Sequence, residues 1–315
     1  MKRRGLPLRI EGWPRYSISV AATPTASTED LMRSPFTNRA GRFSWLKSVV
    51  FVLLLLPGLW YGGRLLAGDL GADPVQTFQR NIGLWVLYLL VIGLAVTPLK
   101  RALRWPQLIQ VRRMIGVAAA TYVLIHLTGY TATQHFDLGF VASEIVKRLY
   151  LTIGFLALLC LMPLLATSTD AMIKRLGGKR WQRLHQLVYP IVALGLVHGV
   201  MQSKVDVAIP TMLAGFTIWL LAWRVMDSRF GRGDGLPLWS LAVLSVVTAL
   251  VTAGGEAAMY GLFTGVDPMR VLRANLIFAF GPRPAWIVLG AGLAVTVLAG
   301  LRRLQKSKAR RPALA

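Results

Sequence analysis

The sequence predicts an all-α integral membrane protein, a helical bundle of about eight transmembrane helices with both termini in the cytoplasm. Hydrophobic residues make up 55% of the 315-residue chain and charged residues only 16%, and the mean hydropathy is +0.54. The apolar residues gather in charge-free stretches close to the roughly 20 residues that a helix needs to cross a bilayer. The basic residues lie mainly between alternate stretches. These observations together favour a lipid environment over a soluble fold.

The first predicted element is a polar tail, residues 1–42, which mixes basic residues with Ser, Thr and Pro. A secretory signal needs an apolar run of about 7–15 residues after its basic start. The segment LPLRI is too short for that and is interrupted by Arg9. We therefore expect a disordered cytoplasmic tail.

Eight predicted spans follow, each long enough to cross the hydrocarbon core as a helix. They are residues 48–63, 81–99, 114–134, 149–169, 184–203, 207–223, 235–255 and 284–301. The first six fall within a predicted core at 43–226. The last two fall within a C-terminal extension at 227–315, which ends in a basic cytoplasmic tail.

The distribution of charge predicts the orientation. The chain carries a formal charge of +23, and its basic residues cluster before the first span, in the second, fourth and sixth loops, and at the C-terminus. The first loop instead carries Asp69, Asp73 and one arginine, Arg80. The positive-inside rule then places both termini and the even loops in the cytoplasm, although basic residues in the third and seventh loops dilute the bias. Because loop charge explains the surplus, nothing favours nucleic acid as a partner.

Histidines are the candidate ligands, because the lone cysteine, Cys160, can build neither a disulfide framework nor a thiolate metal cluster. The fourth-loop motif LGGKRWQRLHQLVY places His185 at the cytoplasmic end of the fifth span. His198 follows thirteen residues later, about 20 Å along a helix. His126 lies thirteen residues beyond Arg113, which begins the third span, so His126 and His198 have similar depth. This pair suits a haem iron held from both sides.

His185 supplies half of a second site, because the residue at matching depth on the third span is Arg113. Lys179, Arg180 and Arg183 lie beside His185, where they could bind haem propionates or a flavin phosphate. The positive-inside rule accounts for the same three residues.

Two further polar residues receive structural predictions. His135 is expected to be a solvated loop residue, and Glu256 to be interfacial at the outer end of the seventh span. No Ser/His/Asp triad, phosphate-binding glycine loop or paired-carboxylate site is visible, which argues against hydrolase or ATPase chemistry. A transporter or assembly protein, with histidines that carry protons or pack, is the alternative without haem.

Several segments resemble one family, over roughly residues 44–226. They are LGADPVQTFQRNIG, VRRMIGVAAATYVLIHLTGY, LYLTIGFLALL and ATSTDAMIKRLGGKRWQRLHQLVYPIVALGLVH. These look like the haem-binding membrane subunits of periplasmic methionine sulfoxide reductase systems, called MsrQ or YedZ, within the ferric-reductase-like transmembrane superfamily. The polar tail and the last two spans depart from that family's six-helix pattern.

The resemblance implies an electron-transfer subunit of the bacterial inner membrane that is not itself catalytic. It would carry one or two haem b groups, and the family's haem histidines fall on His126, His185 and His198. Electrons would come from the quinone pool or a cytoplasmic flavin reductase and pass to MsrP, a molybdopterin subunit that repairs oxidised periplasmic proteins. FMN is implied by the resemblance alone. A quinol-oxidising or ferric-reductase-type cytochrome with another acceptor is the alternative with haem.

Overall fold

The computed structural model describes residues 36–37, 42–203, 206–231, 235–279 and 281–309, with side chains to residue 305. The predicted tail at 1–42 therefore lies almost wholly outside the described residues. Within these ranges the chain forms helices and no β-strand. In chain order the helices are α1 (Trp45–Leu66), α2 (Pro74–Ala102), α3 (Arg112–Thr133), α4 (Leu138–Lys147), α5 (Leu149–Ala166), α6 (Asp170–Leu176), α7 (Gly178–Leu184), α8 (Val188–Gln202), α9 (Ala208–Phe230), α10 (Leu238–Thr264), α11 (Pro268–Ala274) and α12 (Pro284–Ala309).

Eight helical segments in the described ranges are long and apolar enough to cross a membrane. The third combines a 3₁₀ turn, Pro106–Val111, with α3, and the fifth joins α7 to α8 through the turn His185–Leu187. The all-α membrane architecture is confirmed, and each predicted span corresponds to one of these segments. The short helices α4 and α11 lie between spans.

Helix α2 is the centre of the bundle. Half of its most apolar stretch is buried, and it packs against α1, α3, α8 and α9. Pro98 has no N–H, so the carbonyl of Leu94 loses its usual partner within the helix. The guanidinium of Arg224, on α9, donates a hydrogen bond to that carbonyl. A polar group freed by a proline inside the bundle is thus satisfied by a neighbouring helix.

Helix α1 lies at the edge of the bundle, where only 11% of its apolar stretch is buried. One tyrosine attaches it to α3. The Tyr122 hydroxyl donates to the Leu54 carbonyl at 2.8 Å and accepts from the Gly58 N–H, also at 2.8 Å. This hydroxyl is inserted between a carbonyl and an N–H that would otherwise bond to each other within α1.

Helices α10 and α12 pack against each other and against α9, which also contacts α2 and α8. The boundary that the sequence predicts between the core and the C-terminal extension, at residues 226 and 227, remains a prediction. It falls inside α9, which contacts helices of both parts. Glu256 is fully buried between these helices, where its carboxylate accepts a 2.8 Å hydrogen bond from Arg283. The expectation that Glu256 is interfacial concerns its depth in the bilayer and stays a prediction. The sequence does not show that Arg283 folds back onto α10 and pairs with this carboxylate.

Candidate functional site

A cavity of about 450 Å³ lies between α2, α3, α5 and α8, and the first turn of α9 closes one side. Its walls are mostly leucine, isoleucine and valine side chains, with glycines from three of the helices. Both His126 and His198 line it. A cavity of this size and character suits a largely apolar ligand with a few polar contacts.

The His126 ring is held by α2. Its Nδ1 lies 2.9 Å from the carbonyl oxygen of Gln79. Because a carbonyl can only accept, Nδ1 must carry the proton and Nε2 keeps its lone pair. Gly83 lies one turn further along α2, where an added Cβ would come within 2.6 Å of the His126 ring. The missing side chain at Gly83 is what allows the ring to lie against α2.

The His198 ring is held by α5 in the same way. Its Nδ1 lies 2.7 Å from the carbonyl oxygen of Tyr150. Gly154 is four residues beyond Tyr150, and a Cβ there would come within 2.8 Å of the ring. Both rings are thus fixed by a carbonyl at one position and a glycine four residues later, on a helix other than their own. Such orientation of an imidazole by its second nitrogen is typical of metal-binding histidines.

The two rings face one another across the cavity, with centroids 6.3 Å apart and planes at 85°. An imidazole nitrogen binds a transition metal at about 2 Å, so one metal bonded to both rings would hold their centres about 6 Å apart. The described residues contain no group of three or more His, Cys, Asp or Glu side chains that could hold a metal ion. A metal between these two rings would be fully coordinated if a cofactor supplied its other ligands, as a haem does for its iron.

His185 lies in a different environment. Its ring stacks on Trp181 at 3.8 Å between centroids, and its Nδ1 lies 3.1 Å from the carbonyl of that residue, one turn earlier. Its Nε2 is buried and makes no hydrogen bond to any described residue. His185 does not line the cavity. The structure therefore brings together two of the three predicted ligands.

The predicted basic residues lie at the His185 end of the bundle. Arg113 forms an ion pair with Asp170, at the start of α6. Lys179, Arg180 and Arg183 are exposed on α7, and none of the three lines the cavity that holds His126 and His198. Any cofactor that these residues bind would lie near His185.

Sequence reasoning missed the residues that orient the rings. Gln79 with Gly83 and Tyr150 with Gly154 share the same spacing of four, within or at the edge of apolar spans. That repeated spacing is visible in the sequence. To recognise these glycines as the ones beneath the rings, however, one must know how α2 is aligned against α3 and α5 against α8. Arg80 and Tyr130 also line the cavity. His135 is exposed beyond the end of α3 and does not line it.

Comparison with known proteins identifies the family to which the chain is similar. The model of a family described as the ferric reductase like transmembrane component matches residues 80–196, a range that includes His126 and His185 and ends two residues before His198. No solved structure matches the chain.

Individual relatives of the chain belong to a narrower family than the one that this model describes. A protein-methionine-sulfoxide reductase heme-binding subunit MsrQ of Rhodospirillum rubrum is 44% identical over 199 residues, which are 63% of this chain and 93% of the relative. MsrQ of Herminiimonas arsenicoxydans is 47% identical over 158 residues, covering 49% and 71%. MsrQ of Caulobacter vibrioides is 38% identical over 182 residues, covering 58% and 87%. More than a third of this chain thus lies outside the match to the Rhodospirillum relative.

Proposed function

The chain belongs to the family of protein-methionine-sulfoxide reductase heme-binding subunits, MsrQ, and on that premise we propose that it is a membrane cytochrome. A b-type haem is held between His126 and His198. The chain carries electrons across the bacterial inner membrane to the catalytic subunit MsrP on the periplasmic side, for repair of oxidised methionine in proteins.

One observation carries the assignment of the site. His126 and His198 each have Nδ1 on a backbone carbonyl, and their rings stand 6.3 Å apart at the wall of an apolar cavity. Haem supplies one-electron chemistry at its iron when it is bound. The protein's part is to present two neutral imidazoles in a fixed orientation and to keep water out with aliphatic walls. Those are the factors by which a protein adjusts a haem's potential.

The donor side is proposed to be the end that contains His185. Lys179, Arg180, Arg183 and Arg113 are gathered there, and the positive-inside rule makes that end cytoplasmic. The buried, unbonded Nε2 of His185 suits a ligand role toward a second redox group. Quinone or a cytoplasmic flavin reductase is the proposed source of electrons. FMN is not part of the proposal, since the relatives' names mention haem alone.

The proposal is tested on the full chain purified in detergent. We expect a Soret band, a pyridine haemochrome of the b type, and reoxidation of the dithionite-reduced haem on addition of purified MsrP in the presence of methionine sulfoxide. A colourless protein would overturn the haem assignment and favour a transporter or assembly role.

A second candidate is a quinol- or ferric-reductase-type cytochrome with another acceptor, which the family match over residues 80–196 favours. Haem that MsrP leaves reduced, but that ferric chelates reoxidise, would support this candidate over the first.

A further inference from the structure

The cavity has one polar end, which we call the rim. Arg80, Tyr130, Gln202, Ser203 and Asp206 line the cavity there, at the start of α2, the end of α3 and the connection from α8 to α9. The remaining wall is mainly aliphatic. A ligand that is apolar except for a charged edge can satisfy that edge only at the rim, because burying an unpaired carboxylate among aliphatic side chains is very costly.

The two charged rim residues, Arg80 and Asp206, differ in the hydrogen-bond and ion-pair partners that they have. The Asp206 carboxylate accepts a 2.9 Å hydrogen bond from the Ala208 N–H and a 3.4 Å hydrogen bond from the Tyr260 hydroxyl. Arg80 makes no ion pair or hydrogen bond through its guanidinium to any residue in the described ranges. It is exposed, and lies one turn of α2 before Leu84 on the helix face that lines the cavity.

We propose that Arg80 binds the carboxylates of the cofactor, which for haem are the two propionates. The planar guanidinium offers paired N–H donors that match a carboxylate. Arg80 lies one residue after Gln79, whose carbonyl orients His126, so α2 positions both the ligand ring and the anion-binding cation. The basic residues near His185 cannot take this role, because none of them lines this cavity. The inference rests on the proposed haem function.

The experiment compares haem b with haem dimethyl ester, which has the same ring but no free carboxylates. Full chains are purified with Arg80→Gln, Arg80→Lys or Arg273→Gln, loaded with either haem, and mixed with excess apomyoglobin to time haem loss. Arg273 is the matched control, since it is exposed on α11 and does not line the cavity.

We expect Arg80→Gln to lose haem b about tenfold faster than the unmodified chain, which is the effect of one charge-assisted hydrogen bond. Arg80→Lys should lose haem b at a rate between those of Arg80→Gln and the unmodified chain. Arg273→Gln should lose it at the same rate as the unmodified chain. With the dimethyl ester, Arg80→Gln and the unmodified chain should lose haem at the same rate.

Redox titration gives an independent reading. A cation near the iron disfavours the ferric state, so Arg80→Gln should lower the haem midpoint potential, whereas Asp206→Asn should raise it. Equal loss of haem b from Arg80→Gln and the unmodified chain would overturn the inference, and so would a tenfold difference that persists with the ester. If the unmodified chain binds no haem at all, the proposed function fails as well, so the two failures are distinguishable.

Discussion

His185 and His198 lie on the same membrane-crossing segment, yet the structure gives them different surroundings. Both have Nδ1 against a backbone carbonyl. For His185 that carbonyl belongs to its own preceding turn, whereas for His198 it belongs to another helix. His198 faces His126 across a cavity, while the Nε2 of His185 faces no ligand side chain that the structure describes. A carbonyl contact fixes a tautomer, but a two-sided metal site also needs a partner ring and room between the rings.

The largest expected effect comes from removing one ring of the facing pair. His126→Ala and His198→Ala should each lower haem affinity by more than about 100-fold, because losing a ligand costs more than losing the group that orients it. Haem content by pyridine haemochrome measures this. His135→Ala is the control, and a variant series in which His135→Ala loses haem while the other two retain it would show that the pairing is wrong.

Substitution of the glycines beneath the rings tests whether close packing sets the geometry. Gly83→Ala and Gly154→Ala place a methyl group within 3 Å of a ring, so the ring must shift. We expect about a tenfold loss of haem affinity and an altered Soret band. Gly254→Ala is the matched control, since nothing lies within 4 Å of its added Cβ. Spectra that stay unchanged in all three variants would mean that the glycines do not position the histidines.

The C-terminal helices provide a contrast, because neither residue of their buried charge pair, Glu256 and Arg283, lines the cavity. Glu256→Gln leaves Arg283 without its ionic partner and should destabilise the chain by about 3 kcal/mol, seen as a lower melting temperature. The haem spectrum at low temperature should stay the same. Asp69→Asn, which breaks an exposed pair with Arg64, should cost at most about 1 kcal/mol. Loss of haem in folded Glu256→Gln would contradict this separation.

The smallest effect on the facing pair is expected from His185→Ala. The spectrum of the haem proposed between His126 and His198 should be preserved. Haem and iron per polypeptide should fall only if a second haem uses His185. If His185→Ala removes the signal of the facing pair, the two ends of the segment are not independent and the comparison fails.

Much of this arrangement could be predicted from the sequence. The eight spans follow from length and absence of charge, and the matched depth of His126 and His198 follows from a rise of about 1.5 Å per residue. The roles of Gly83 and Gly154 could not be predicted, since they depend on how neighbouring helices are rotated against one another. The sequence alone indicates only a loop charge at Arg80, since its place in the cavity wall is set by how the helices pack. The burial of Glu256 depends on Arg283, which is distant in sequence.

The most direct test of the central claim is electron paramagnetic resonance of the oxidised full chain, with haem and iron counted per polypeptide. A haem iron bound by both imidazoles would give a low-spin ferric signal, and ring planes that stay near 85° would give that signal high anisotropy. That signal should disappear in both His126→Ala and His198→Ala and persist in His185→Ala. A low-spin signal of full intensity in either of the first two variants would contradict the account.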